Sequence, residues 1–247
     1  MGTSGLTLIA EAATCHGGDL RLAMRMALEA KVAGATHVKY QHVDPNHFPA
    51  GSAAHEWYSR VRFTVDQWRE VKAYCESRGI KFLCTPQTVQ DFHDLVSIGI
   101  EEVKISSDNA SNAGLASAVS NWNRVVYIST NWDAIPISWF QRQDPERYTM
   151  MLCTSEYPCP PEHAGLARLK LFGVSRLGFS DHTIGHEAAL IALGLGARTF
   201  EKHFRLADVD PAFCGPDVAV SCTETELAAY FRALQRGLTM LGTGWPE

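Results

Sequence analysis

Residues 178–204 read "GFSDHTIGHEAALIALGLGARTFEKHF". An apolar run ends in "SDHT", a ten-residue apolar segment follows, and a second short run ends in "EKHF". Strand, helix, strand in that order is a β-α-β unit, because parallel strands need a crossover of a dozen or more residues, usually a helix. Both strand ends then emerge on the same side of the sheet. Each carries a histidine with a carboxylate close by, His182 after Asp181 and His203 after Glu201.

The same unit repeats outward in both directions. Strand-like runs are "LTLIAEAA" (6–13), "HVKYQ" (37–41), "KFLCTP" (81–86), "EEVKISS" (101–107), "VVYIST" (125–130), "YTMMLCTS" (148–155), "RLGFSD" (176–181) and "TFEKHF" (199–204). They are apolar through the middle and do not alternate cleanly, as expected for parallel strands buried on both faces. Helical patterns lie between them. Leu20, Ala23, Met24, Ala27 and Leu28 recur at helical spacing behind Asp19 as N-cap. "TVDQ" (64–67) and "TETE" (223–226) read as capping boxes, and the last helix presents Leu227, Phe231, Leu234, Leu238 and Leu241 on one face. Strand ends at 13, 41, 86, 107, 130, 155, 181 and 204 are mostly 21–26 residues apart. Eight β-α repeats in 247 residues predict an α/β fold, a (β/α)8 TIM barrel forming a single domain over residues 1–247. A doubly wound open sheet fits less well, since "TCHGG" after the first strand is not a Gly-rich phosphate loop. Two places are irregular. Residues 42–63 read as a long loop rich in His, Pro and Gly, and "NWDAIPISWFQRQDPER" (131–147) carries Pro136 and Pro145, which shorten or break its helix.

Bulk properties narrow the partners. Net charge is −5, with no basic patch for nucleic acid. The apolar stretch around 188–197 is too short to span a bilayer, and no signal-type segment precedes Leu6. Seven cysteines without a CxxC pair read as free thiols in a reducing cytoplasm.

In a barrel all eight strand ends converge on one rim, where the active sites of this fold lie. Here the rim collects Glu11, Lys39, Gln41, Thr85, Lys104, Ser106, Ser107, Ser129, Thr130, Thr154, Ser155, Ser180, Asp181, His182, Glu201, Lys202 and His203. A single lysine or histidine at a strand end is ordinarily structural; the convergence is what points to a site. Lysines are rarely buried unless paired, so Lys39 and Lys104 imply an anionic ligand, with hydroxyls and amides completing its cradle. His182 and His203 on adjacent strands can face one spot, and with Glu201 and Asp217 nearby they suit Mn²⁺, Mg²⁺ or another divalent ion in an open site. Two histidines are too few for a closed structural zinc site.

These residues carry a resemblance. "IAEAATCHGGDLRLAMRMALEAKVAGATHVKYQ", "KFLCTP", "VKISS", "IST", "LCTSEYPCPPE", "GFSDHTIG", "ARTFEKHF" and "GPDVAVS" together resemble the N-acetylneuraminate (sialic acid) synthase family, from about residue 8 to 221. The resemblance implies a transferase that condenses phosphoenolpyruvate with a sugar aldehyde, giving a 2-keto-3-deoxy acid and inorganic phosphate, with Mn²⁺ or Mg²⁺ as cofactor. By position it implies phosphoenolpyruvate contacts at Lys39, Thr85, Lys104, Ser107, Ser129, Ser155 and Ser180, and metal ligands at His182 and His203. It implies catalytic roles for Glu11, Glu201, Asp217 and His16, and acceptor contacts at Gln41, Asn109 and Tyr157. The relatives' dimers imply a homodimer.

Three departures concern the acceptor and phosphate sides. Asn109, in "SSDN", stands where the family has an acceptor-binding glutamate, and Ser155 replaces an asparagine on the phosphate side. The chain ends at "LGTGWPE", so the expectation is a barrel without the C-terminal antifreeze-like (SAF) domain. An acceptor other than N-acetylmannosamine follows, with residues 42–63, including His42, His47, His55, Trp57 and Tyr58, taking the place of the lid. The competing readings are a barrel lyase or aldolase that does not use phosphoenolpyruvate, and a non-catalytic sugar-binding member.

Overall fold

In a computed structural model, residues 5–131 and 146–242 are described. The strands are β1 Thr7–Ala13, β2 His37–His42, β3 Lys81–Pro86, β4 Glu102–Ile105, β5 Val125–Thr130, β6 Tyr148–Cys153, β7 Leu177–Asp181 and β8 Thr199–Arg205. All seven paired neighbours are parallel, in the order β3-β2-β1-β8-β7-β6-β5-β4. β3 and β4 lie side by side, so the ring is nearly closed. A two-residue strand, β9 Cys222–Thr223, runs beside the end of β8. The helices are α1 Leu20–Val32, α2 Ala53–Val61, α3 Val65–Ser77, α4 Val89–Ser97, α5 Ala113–Ser120, α6 Glu187–Gly194 and α7 Glu224–Leu241. The fold is the expected (β/α)8 barrel.

Local chemistry explains the helix starts. The Asp19 carboxylate accepts from the Arg21 and Leu22 amides at the start of α1. Capping boxes open α3 (Thr64, Gln67), α4 (Thr88, Asp91) and α7 (Thr223, Glu226). Between β6 and β7 the chain forms two 3₁₀ segments, Pro161–His163 and Leu166–Leu171, behind a proline-rich approach that cannot donate α-helical bonds.

Alternation along the strands sorts residues into two environments. Ala10, Val38, Phe82, Val103, Val126, Met150, Phe179 and Phe200 belong to the main core between strands and helices. Ile9, Leu83, Tyr127 and Met151 form a separate buried cluster that fills the barrel interior. Gly178 is required there, because a Cβ would lie 2.7 Å from Met151 Cγ. One layer along, on the same alternation, come Glu11, Lys39, Thr85, Lys104, Ser129, Ser180 and Glu201. In the other direction lie His37 and Glu102.

Four expectations need correction or limitation. Residues 42–63 are not one long loop, because Ser52 caps the His55 amide and opens α2 across Ala53–Val61. Leu241 is exposed, whereas Leu227, Phe231 and Leu234 are buried and Leu238 is partly so. The cysteines are not all free thiols. Cys15 after β1 and Cys214 after β8 form a disulfide across a sequence separation of 199, which only the β1–β8 pairing brings together. Cys75, Cys84, Cys153, Cys159 and Cys222 are free. The broken helix around Pro136 and Pro145 lies outside the described residues. Among the described residues no helix is long and apolar enough to cross a membrane.

Candidate active site

The C-terminal strand ends surround a cleft of about 360 Å³. Its floor is two lysines and two glutamates, one from each of β1, β2, β4 and β8. Lys39 Nζ lies 2.8 Å from Glu11 Oε2, 3.3 Å from Glu201 Oε2 and 3.1 Å from the Thr85 hydroxyl. Lys104 Nζ donates to the Ser129 hydroxyl at 2.6 Å and the Ile105 carbonyl at 3.2 Å, with Glu201 Oε1 at 3.7 Å. Ser180 donates to Glu201 Oε1 at 2.9 Å. All seven side chains are buried.

Burial and charge set their protonation. Burial pushes the Glu11 carboxyl up, with Lys39 pulling it back only in part, to about 7. Burial also opposes ionisation of Glu201, but Lys104 and Lys39 together outweigh it and hold that carboxyl at about 2. Lys39 is held above its ordinary value because Glu11 and Glu201 outweigh burial. Lys104 is lowered by burial, which Glu201 does not fully offset. Close to neutral pH the floor therefore carries two ammonium groups against one full carboxylate and one partly protonated one. Such a floor attracts an anion. Glu11 Oε1 is buried with no hydrogen-bond partner, which leaves it able to exchange a proton with a group brought into the cleft.

His182 and His203 face the cleft from β7 and β8 with ring centroids 5.4 Å apart. The His182 Nδ1 donates to the Thr154 carbonyl at 2.8 Å, which leaves Nε2 as the free lone pair of the neutral ring. Cys153 Sγ lies 3.8 Å from the same Nδ1. His203 is lowered well below its ordinary value by burial and by His182, and its Nδ1 is buried without a partner. Asp217 lines the same cleft, its carboxyl raised by burial to about 6. Among the described residues no three His, Cys, Asp or Glu groups converge on one point. The donor set is thus two imidazoles with a carboxylate near, which fits an open divalent site completed by water or substrate and not a closed cage.

Of the other residues singled out in the sequence, Gln41, Thr85, Ser107, Ser129, Ser180 and Tyr157 also line the cleft. The Tyr157 ring lies 4.2 Å from that of His182. Three residues are placed elsewhere. His16 packs its ring 4.3 Å from Phe63 and beside Tyr40 and Trp68, and burial lowers it to about 3. Its Nδ1 accepts from the Gly18 amide, so the ring is part of the wall behind the cleft and does not line it, and the expected catalytic role of His16 is corrected. Asn109 donates to Gln87 and lines an adjoining cavity, and Ser155 bonds Ser107 at 3.0 Å from the exposed rim. Sequence reasoning missed Thr14, Gln87, Asp108, Cys153 and Pro216 as lining residues, whereas Tyr58, expected over the site from residues 42–63, does line it. Cys153 was findable, since it follows Met151 on the interior-facing alternation of β6.

The NeuB family model matches residues 24–245, most of the chain. This chain belongs to the NeuB family. Its barrel superposes on the N-acetylneuraminic acid (sialic acid) synthetase from Leptospira borgpetersenii with a TM-score of 0.89 and 30% identity, over 100% of this chain and 88% of that one. The N,N'-diacetyllegionaminic acid synthase of Legionella pneumophila is 26% identical over 96% of this chain and 73% of its own length. The N-acetylneuraminate-9-phosphate synthase of Drosophila melanogaster is 28% identical over 92% and 66%. Family and fold therefore agree with the motifs, and the NeuB-family barrel presents its charged strand ends at the face where this architecture does chemistry.

Proposed function

We propose that this chain condenses phosphoenolpyruvate with a sugar-derived aldehyde and releases inorganic phosphate. The observation that carries the reading is the cleft floor, where Lys39 and Lys104 are both buried and, among the described residues, Lys104 has no carboxylate closer than 3.7 Å. A buried ammonium with so distant a carboxylate stabilises an anion strongly, because little water competes with it. The synthases among its relatives support the same reaction class.

Phosphoenolpyruvate brings a carboxylate and a phosphate, which Lys39, Lys104 and the hydroxyls of Thr85, Ser107, Ser129 and Ser180 hold, with Ser155 supporting Ser107. Its C3 attacks the aldehyde carbon, and the aldehyde oxygen takes up a proton. Water then adds at C2, where positive charge develops, and the C–O bond to phosphate breaks. Asp217, with a carboxyl raised to about 6, is suited to take that water's proton near neutral pH. Glu201 stays ionised and stabilises the positive charge at C2. Glu11, near half-protonated at neutral pH, is suited to supply the proton that the aldehyde oxygen takes up to become the new hydroxyl. Gln41 and Tyr157 would hold the acceptor, and Asn109 borders it from the adjoining cavity. His182 and His203 would hold a divalent ion, Mn²⁺ or Mg²⁺. Such an ion, when bound, supplies Lewis-acid polarisation of the acceptor's aldehyde oxygen.

The acceptor is proposed to differ from N-acetylmannosamine, because Asn109 stands at the position of an expected glutamate and α2 supplies aromatic side chains beside the cleft. The test is phosphate release from phosphoenolpyruvate with a panel of aldehydes, with and without added Mn²⁺. Release that depends on both the aldehyde and the metal is expected. No release with any aldehyde would overturn the reaction class, and best turnover with N-acetylmannosamine would overturn the altered acceptor.

A further inference from the structure

Beside the cleft lies a second cavity of about 690 Å³. The two share Tyr58, Gln87, Asp108 and Pro216 as lining residues, so they are continuous. An aldehyde carbon placed at the cleft floor leaves the rest of its chain to run along this junction. The side cavity has an aromatic wall. Phe48 stacks on Tyr58 with ring centroids 5.1 Å apart and planes 7° apart, and Trp57 adjoins them from the same helix as Tyr58. Gly215, at φ +56°, gives Trp57 its space, since a Cβ there would lie 2.5 Å from the indole. The indole N–H of Trp57 is buried without an acceptor.

Charge distinguishes the two spaces. The buried ammonium groups of Lys39 and Lys104 belong to the cleft floor. Among the described residues the side cavity has no lysine or arginine in its lining; His47 is its one imidazole and Asp108 its one carboxylate. Arg60 is close by, but its guanidinium lies 4.4 Å over the Trp57 ring and it is not a lining residue. Asp108 is exposed and makes no ion pair among the described residues.

We infer that the side cavity receives the far end of the acceptor, and that the acceptor is an unphosphorylated sugar aldehyde. The inference rests on the condensation proposed above and specifies its second substrate. A phosphate is best held by lysine, arginine or clustered amide donors, and here it would meet a free carboxylate with a single imidazole, His47, and neither lysine nor arginine among the described lining residues. Sugar hydroxyls donate to a carboxylate, and the apolar faces of a sugar ring or an acetamido methyl pack on aromatic rings. The choice is a real one within the family. In a product phosphorylated at carbon 9, carbons 1–3 come from phosphoenolpyruvate, so the phosphate arrives on carbon 6 of a six-carbon acceptor.

The experiment compares matched probes: N-acetylmannosamine and its 6-phosphate, mannose and its 6-phosphate, arabinose and its 5-phosphate. Phosphate release from phosphoenolpyruvate is measured for each, corrected for release without enzyme. The unphosphorylated member should be favoured in kcat/KM by about tenfold or more in every pair that turns over, the factor that corresponds to 1.4 kcal/mol. Asp108→Lys, at an exposed position with no partner to lose, should narrow or invert that ratio at low salt. Phe48→Ala should raise KM for the acceptor and leave KM for phosphoenolpyruvate in place. Preference for the phosphorylated members, or a ratio that Asp108→Lys does not move, overturns this inference and leaves the condensation standing. Absence of release with every probe overturns the condensation itself and the inference with it.

Discussion

Lys39 and Lys104 occupy equivalent places on neighbouring parts of the barrel floor, yet their surroundings shift them in opposite ways. Lys39 sits between Glu11 and Glu201, and the two carboxylates hold its charge. Lys104 has the Ser129 hydroxyl and a more distant carboxylate, so burial lowers it. The native state therefore favours the charged form of Lys39 and disfavours that of Lys104. Lys39→Met should cost about 3 kcal/mol, since it leaves Glu11 buried without its cation and Glu201 with only the more distant Lys104. Lys104→Met should leave folding stability unchanged or slightly raised, while phosphate release falls by roughly 10²–10³-fold or more. Denaturant unfolding of both variants beside the phosphate assay checks the contrast; equal stability losses would mean that the two lysines do not differ in how they are paired. At this scale the site was partly legible. Lysines at the ends of apolar strands stand out because a core would not choose them. Their pairing did not stand out, because it depends on which strands adjoin across the ring. His16 misled for a related reason: a histidine next to glycines at a strand end looks accessible, and only the arrangement of Tyr40, Phe63 and Trp68 shows that the ring is enclosed.

Among the elements, the strands were legible to within a few residues because eight apolar runs at regular intervals fit few architectures besides a barrel. The segment between β2 and α3 was not. Pro49 and Gly51 mark it as a loop, and α2 is only nine residues long, so its periodicity is short of what a pattern can establish. What fixes α2 is tertiary. Its Trp57 lies against Gly215, and Gly18 lies against the carbonyl of Arg60, so α2 closes against the loops that follow β1 and β8. Those two loops are in turn joined by Cys15–Cys214, with Gly17 against Phe213 beside it. The cross-link closes nearly the whole barrel, and constraining so long a stretch of unfolded chain gives an expected stabilisation of about 2–4 kcal/mol. The Cys15→Ser/Cys214→Ser double variant should lose that amount in thermal or denaturant unfolding. A reductant should lower the midpoint of the wild-type chain and leave that of the variant where it is. If reductant shifts both equally, the effect belongs to the other thiols and the bridge contributes nothing.

Across the whole molecule the barrel interior is layered, and the layers divide function from stability. At the C-terminal end are the charged cleft residues. In the middle Ile9, Leu83, Tyr127 and Met151 form an apolar plug. At the N-terminal end Glu102 accepts from Tyr127 at 3.1 Å, lies 2.7 Å from His37 Nε2 and pairs with Lys81. Keeping that buried carboxylate ionised serves the fold alone, since the plug separates it from the cleft. Burial by itself would raise Glu102, but its bonds to His37 and Lys81 outweigh burial and bring it to about 2, against an ordinary 4.5. The unfolded chain thus takes up this proton more readily than the folded one. The stability Glu102 contributes is complete above about pH 4.5 and is lost as pH falls from there through 2. The amount is on the order of 2–3 kcal/mol after allowing for relaxation around the site. Glu102→Gln should therefore be less stable than the wild-type chain at pH 7, with the difference shrinking steadily as both are unfolded at about pH 5, 4 and 3. Because other carboxylates titrate in the same range, the difference between the two proteins is the quantity to read. KM for phosphoenolpyruvate should be the same in both. Parallel stability curves would show that the Glu102 network holds no charge-dependent energy, and a changed KM would show that the plug does not insulate the two ends of the barrel.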